Sequence, residues 1–278
     1  MFGCLRMFGC LWHQLSLPTT QGIGLTLACA SGIMMVTECI PSIVQVMSQL
    51  PLMIAFNGIG MSCTLHRLLS HRAFSTSSVG LVLFALIGCL TNQGPIMWWT
   101  SIHRRHHADS DGPGDPHSWS QSGFWYAYVG WLHYEYDTQW EFVHPIYRSS
   151  PTLRFLNQTQ PLILGTWILS WWSLVGLRNV MWWYWIPSIM GGLVGSLYAN
   201  VSFHRPNITN PRVHCNARDR PSLRWNGKLN TAAMIGEGSH GDHHRHPRRA
   251  HRTSDTCDLP YQMFLRPLAA LGWIWDLH

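Results

Sequence analysis

The sequence is short of charge. Only 12% of its 278 residues are Asp, Glu, Lys or Arg, about half the share of an ordinary soluble protein. Lysine is nearly missing, Lys228 being the sole example, so the net charge of +6 rests on arginine. So few charges cannot keep a surface dispersed in water. With 46% hydrophobic residues and 16 tryptophans, the composition points to a bilayer as solvent. The same figures exclude disorder, coiled coil, collagen and a small disulfide scaffold. The eight cysteines form no C-x-x-C pair, which removes zinc and redox spacings. Haem (H-P-G-G), nicotinamide and flavin fingerprints and iron–sulfur patterns are also missing, so electrons for any redox chemistry must come from a separate carrier. No nucleic-acid motif accompanies the basic charge. On a membrane protein such charge sets orientation or meets anionic head groups.

The chain has apolar runs of membrane length. Runs at 21–39 and 43–65 each approach the roughly 20 residues needed to cross a bilayer, and only Pro41-Ser42 separates them. Runs at 161–177 and 180–203 pair likewise around Arg178-Asn179. A fifth run at 79–99 passes on hydropathy, yet it contains Thr91-Asn92-Gln93-Gly94-Pro95, poor material for a lipid-facing helix. If it crossed, the histidines before and after it would face opposite sides of the membrane. It is therefore expected to lie at the interface, packed on protein. The N-terminal duplication, Met1 to Leu5 and Met7 to Leu11, lacks the organisation of a signal peptide and is read as interfacial. The expectation is one all-α integral membrane domain over 1–278, with four transmembrane helices in two hairpins and a helical cap. The cap side carries most of the arginine, including Arg72, Arg104, Arg105, Arg148, Arg154, Arg248 and Arg249. By the positive-inside rule that side, with both termini, is cytoplasmic.

The abundant residue is histidine, with 17 copies, in four groups. They are His66-Arg67-Leu68-Leu69-Ser70-His71, His103-Arg104-Arg105-His106-His107, Asn200-Val201-Ser202-Phe203-His204 and His240-Gly241-Asp242-His243-His244. The i, i+3, i+4 spacing of the second and fourth groups puts three imidazoles on one side of a helical turn, and Asn200 and His204 share a face. His66 and His71 are five apart and miss a common face by roughly 140°, so the helix has to loosen near Ser70. Nine histidines are too many for one ion, and two metals follow. Imidazoles without thiolates, beside an apolar body, favour redox iron over structural zinc. Glu237 and Asp242 are candidates to orient the ligand imidazoles.

These groups resemble the histidine boxes of the integral-membrane fatty-acid desaturases of the Δ9 acyl-CoA (stearoyl-CoA) type and their bacterial relatives. The resemblance extends to Gln93-Gly94-Pro95, Trp98-Trp99, Asp115-Pro116-His117, Gly236-Glu237-Gly238 and Trp275-Asp276. It implies two non-haem irons held by His66, His71, His103, His106, His107, His204, His240, His243 and His244, with Asn200 reaching one iron through a water. It places Gln93 and Trp99 at the bend of an acyl tunnel. Ser196 and Leu197 stand where animal enzymes carry a Thr-Trp pair, so tunnel shape differs there. His117 matches no ligand. The implied activity is insertion of a cis double bond, at Δ9, into a saturated acyl-CoA or acyl-lipid chain with O2 and two electrons. Cytochrome b5 or a ferredoxin is the implied electron donor, and a bacterial inner membrane or the endoplasmic reticulum the implied location. The alternative is a di-iron membrane hydroxylase or monooxygenase on the same scaffold. A metal transporter fits less well, because the spans are nearly free of ionisable residues.

Overall fold

The structure, a computed structural model, describes residues 43–133, 137–204, 237–251 and 258–278. The expected span at 21–39 and the N-terminal duplication lie outside them. The described backbone is helical almost throughout. Helix α1 (Ile43–Ser70) is the one described helix both long and apolar enough to cross a membrane. Its 28 residues extend past the expected 43–65. From Ile54 to Ser70 it winds as a π-helix, so loosening runs through the whole stretch rather than appearing only near Ser70. The His71 amide donates to the His66 carbonyl at 3.2 Å, an i to i−5 bond that sets the two imidazoles one wide turn apart.

The apolar run at 79–99 is not one helix. It breaks into α2 (Ser78–Cys89) and α3 (Ile96–Ala108) around a half-buried turn. Carbonyls at such a turn need donors when water is excluded, and neighbouring helices supply them. Gln160 Nε2 donates to the Cys89 carbonyl (3.0 Å), the Tyr184 hydroxyl to that of Leu90 (2.6 Å) and the Ser188 hydroxyl to that of Thr91 (3.1 Å). Pro95 has no side-chain cap to offer at the start of α3. Asn157 Oδ1 does this from a distance, accepting from the Met97 and Trp98 amides at 2.8 and 3.3 Å.

Asn157 and Gln160 belong to α4 (Pro151–Val175), which begins ten residues before the expected 161. Ser150 caps it by accepting from the Leu153 amide, and Pro151 occupies its first turn. Its first half carries polar residues that serve α2 and α3, which is why apolar counting misses it. The chain turns at Gly176 (φ +79°), a left-handed conformation that favours glycine, and not at Arg178-Asn179. A helix over 177–202, α5, then packs along α1, and its first turns share a buried seam with α4 around Leu164, Val180, Met181, Tyr184 and Trp185.

The remaining elements close the cap. Helix α6 (His240–Arg245) carries the last histidines. After it, Tyr261–Leu265 and Arg266–Ala270 form α7 against α1. A two-residue antiparallel ribbon pairs Ser75 with Trp275 and Thr76 with Ile274, a small departure from an all-α fold. The main core lies where α1, α2 and α4 meet, around Leu65, Leu68, Leu69, Phe84, Ala85, Leu153 and Leu156.

Candidate metal centre

All nine histidines singled out by the sequence lie together, in two neighbouring groups. His66, His71, His103, His107 and His243 form one, and His106, His204, His240 and His244 the other. Each i, i+3, i+4 triplet is thus shared out rather than kept on one face. On α3, His103 and His107 turn to the first group and His106 to the second; on α6, His240 and His244 go to the second and His243 to the first. Helical geometry accounts for this, because positions four apart differ by about 40° while the intervening one lies about 60° the other way. The groups touch: His107 and His244, one from each, stack with ring centroids 4.2 Å apart and planes 11° apart.

The Nε2 atoms face one another. Distances in the first group are 2.9 Å for His66–His243, His71–His103 and His243–His107. In the second they are 2.8 Å for His204–His240, 3.0 Å for His244–His240 and 3.4 Å for His106–His244. Nitrogens 2.0–2.1 Å from a common ion would be roughly 3.0 Å apart at right angles and about 3.4 Å apart at tetrahedral angles. The two donor sets therefore fit a metal ion each. Imidazole donors of this kind suit iron, zinc, copper and nickel.

Carboxylates behind three of the rings fix which nitrogen faces inward. Glu237 Oε1 accepts from His66 Nδ1 (3.0 Å), Asp115 Oδ2 from His106 Nδ1 (2.8 Å) and Asp111 Oδ1 from His204 Nδ1 (3.2 Å). Each ring then presents its Nε2 lone pair to the group. The electrostatics follow. Burial, then the charges of neighbouring imidazoles, holds His103, His107, His240 and His244 well below the ordinary imidazole pKa, leaving them neutral and ready to ligate. His106 is the exception. Burial opposes its charge, but the charge and hydrogen bond of Asp115, helped by Asp111, carry it above the ordinary value. Asp115 itself is held well below the carboxylate range: burial pushes it up, but His106, His117 and the Asp111 amide outweigh that.

The other expected residues sit around this pair of groups. Trp99 stacks on His103 (5.0 Å between centroids, 17° between planes) and its indole N–H donates to Gln93 Oε1 at 3.1 Å. Gln93 Nε2 in turn donates to Asn57 Oδ1 at 3.3 Å. Asn57 fills a notch on α5: a Cβ added at Gly191 would fall 1.5 Å from its Nδ2. Leu197 packs against a buried hydrophobic cluster of Trp98, Ile102 and Trp131. Asn200 lies one turn before His204 in the last turn of α5. The Ser196 side chain lies outside the described residues.

Four further buried polar residues surround the site. Asp111 and Asp115 lie in the Asp109-to-His117 loop, where a run of aspartates just after the second histidine group was a usable signal. Asp111 also departs from ordinary backbone, with φ +63°. His117, buried beside Asp115 and 4.5 Å from the His106 ring, joins His106 and Asp115 in a third convergent group. Burial, the larger cause, and nearby imidazoles lower its pKa to about 3 against the opposing pull of Asp115. Arg67 was hidden inside the first box. Of the two candidate orienting carboxylates, Glu237 does orient a ring. Asp242 instead pairs with Arg249 at 3.5 Å near the surface.

Comparison with known proteins agrees with this geometry. A family model described as fatty acid desaturase matches residues 44–257. The chain is 38% identical over 151 residues to a hex-5-enoyl-[acyl-carrier protein] acetylenase of Moorena producens, covering 50% of this chain and 42% of that protein. It is 40% identical over 78 residues to an sn-1 stearoyl-lipid 9-desaturase of Synechocystis sp., covering 28% and 24%. Against an sn-2 palmitoyl-lipid 9-desaturase of Nostoc sp. it is 29% identical over 210 residues, covering 70% and 67%. The chain thus spans less than half the length of the first two.

Proposed function

The chain belongs to the fatty acid desaturase family, and from that premise we propose that it is an O2-dependent oxidoreductase that inserts a cis double bond into a fatty acyl chain at a histidine-held pair of irons. The observation that carries this reading is the gathering of nine imidazoles into two adjacent groups with their Nε2 atoms turned inward. His66, His71, His103, His107 and His243 would hold one iron, and His106, His204, His240 and His244 the other, with Asn200 beside the second. Iron supplies the activation of O2 needed to take hydrogen from an unactivated methylene, which no side-chain acid or base can do.

The chain's own part is binding, orientation and exclusion of water. Glu237, Asp115 and Asp111 keep the Nδ1 protons of His66, His106 and His204 pointed away from the metals. A saturated chain has no polar handle, so the bond position must follow from the shape of an apolar slot. Gln93 and Trp99, braced by Asn57 and packed on His103, would form one wall beside the metals. Leu197 and the Trp98–Trp131 stack would line its continuation. Electrons come from an external carrier. The edges of His71, His107 and His244 reach a cavity between Arg104 and Arg245, a short path for an acidic donor such as cytochrome b5 or a ferredoxin. The chain would sit in the membrane through α1, α4, α5 and the run at 21–39, with the arginine-rich metal side cytoplasmic.

The similarity to an acetylenase supports a second reading, in which the substrate is already unsaturated and leaves with a triple bond. Expression in a host lacking its own desaturase, with saturated and terminally unsaturated acids supplied in parallel, separates the cases by gas chromatography and mass spectrometry. A loss of two hydrogens from saturated chains supports the desaturase. The same loss only from unsaturated chains supports the acetylenase. Gain of one oxygen would identify a hydroxylase, and unchanged acyl chains in every arm would overturn the proposal.

A further inference from the structure

One residue at the centre of the cap has no part in the metal groups. Arg67 directly follows His66, and its side chain is fully buried, with 0% exposure. A guanidinium is costly to take out of water unless its donors are matched, and here they are. Nη2 donates to both oxygens of Asp258 at 2.9 and 3.0 Å, and Nε donates to the Ala250 carbonyl at 3.0 Å. Nη1 reaches Ser62 Oγ and Glu237 Oε1, the latter at 3.4 Å. That Glu237 oxygen also accepts from Ser62 Oγ at 2.6 Å and from His66 Nδ1 at 3.0 Å.

The partners come from two distant stretches of chain. Ser62, His66 and Arg67 stand on α1. Glu237 precedes α6, while Ala250 and Asp258 follow it. Arg67 therefore grips the segment carrying His240, His243 and His244 on both sides, and it shares with His66 the carboxylate that orients that ring. We propose that Arg67, with Asp258, is a positioning residue for the metal centre: it docks the α6 segment onto α1 and holds Glu237 against His66 Nδ1, so that the Nε2 atoms of His66 and His243 meet. The inference rests on the metal-centre reading above.

The rival is an ion pair that holds the fold and nothing more. Replacing both members of a buried pair by apolar residues of similar size is often neutral for stability, which separates the two. The full chain in detergent is loaded with cobalt(II), and affinity is read by chelator competition beside the visible ligand-field spectrum. The Arg67→Met/Asp258→Leu double variant should still fold, melting below the wild type only by what the stranded Ala250 carbonyl and Tyr261 amide cost. One cobalt should bind about 10–100-fold more weakly, with an altered spectrum. Glu237→Gln, which leaves the Arg67–Asp258 pair intact, should reproduce the weakened cobalt. Where the double variant does not accumulate, Arg67→Lys decides, because it keeps the charge but loses the fork; it should fold and bind one cobalt more weakly. Wild-type affinity and spectrum in these variants would overturn the inference. A wild-type protein that takes up no cobalt at all would instead overturn the metal-centre reading.

Discussion

Replacing Asp115 probes the four-histidine position most directly, because its carboxylate serves three donors. Oδ2 accepts from His106 Nδ1 and from the Asp111 amide, both at 2.8 Å, and Oδ1 accepts from the His117 amide at 3.1 Å. Asparagine has the same shape, but one of its two ends donates. Turned toward His106, its NH2 would face two N–H groups and move the imidazole proton onto Nε2, where the metal binds. Turned toward His117 it faces one. The second orientation wins, so Asp115→Asn keeps the ring aimed but loses a charge and one hydrogen bond. Loss of such an outer partner lowers metal affinity about 10–100-fold, or about 1.4–2.7 kcal/mol. Asp115→Ala strands all three donors, at about 1–3 kcal/mol for each one left buried and unmatched, so stability falls as well. The pH profile carries a second signature. Asp115 raises the His106 pKa, and protons compete with metal for Nε2. Without the carboxylate that competition starts at lower pH, so the acid limb of metal binding moves down even as the plateau affinity falls. A cobalt(II) titration across about pH 5–8 reads both. Wild-type affinity and stoichiometry in Asp115→Ala would refute the reasoning.

His106→Ala and His243→Ala remove one donor from each group; both should abolish the acyl product while the protein stays in the membrane, and metal analysis should show weakened binding of one ion in each. Gly191→Ala should displace Asn57, and through it Gln93 and Trp99, changing product bond position or yield at unchanged metal content, as read by gas chromatography; an unchanged product profile would count against the Gln93–Trp99 wall. Asn157→Leu strands the Met97 and Trp98 amides at the start of α3, costing about 1–3 kcal/mol for each amide left unmatched and lowering the melting temperature by about 2–4 °C for each kcal/mol. The metal-free protein should lose stability in acid. His103, His107, His117, His240 and His244 resist protonation when folded, whereas the unfolded chain takes up protons near pH 6.5. Each such residue then costs up to about 1.4 kcal/mol per pH unit below that point, with His106 working the other way. Melting curves at neutral and mildly acid pH test the sign.

The histidine pattern carried most of the site because metal ligation needs specific side chains at helical spacings, and such spacings survive in one dimension. Its division into two groups was less legible: the notion that a triplet shares a face ignores the angle that turns His106 and His243 toward the other ion. Helix limits failed where polar residues serve the interior. Asn157 and Gln160 look like surface residues in sequence, yet they solvate the α2–α3 turn, so α4 starts well before the apolar count begins. The run at 79–99 breaks at its polar centre into two helices. What holds that centre in place, donors from α4 and α5, depends on long-range packing. Arg67 and Asp258 are 191 residues apart, and nothing local announces their pairing.

The distribution of the imidazoles also imposes an order on biogenesis. Four of the five rings at one position lie within the first 107 residues, whereas two of the four at the other sit on α6 near the end of the chain. In chain order the first position has four of its five rings once α3 is made, whereas the second waits for α6 to supply half of its rings. If the two positions hold metal as proposed, a chain halted ahead of His240 would keep four of the five rings of the first position and only two of the four of the second.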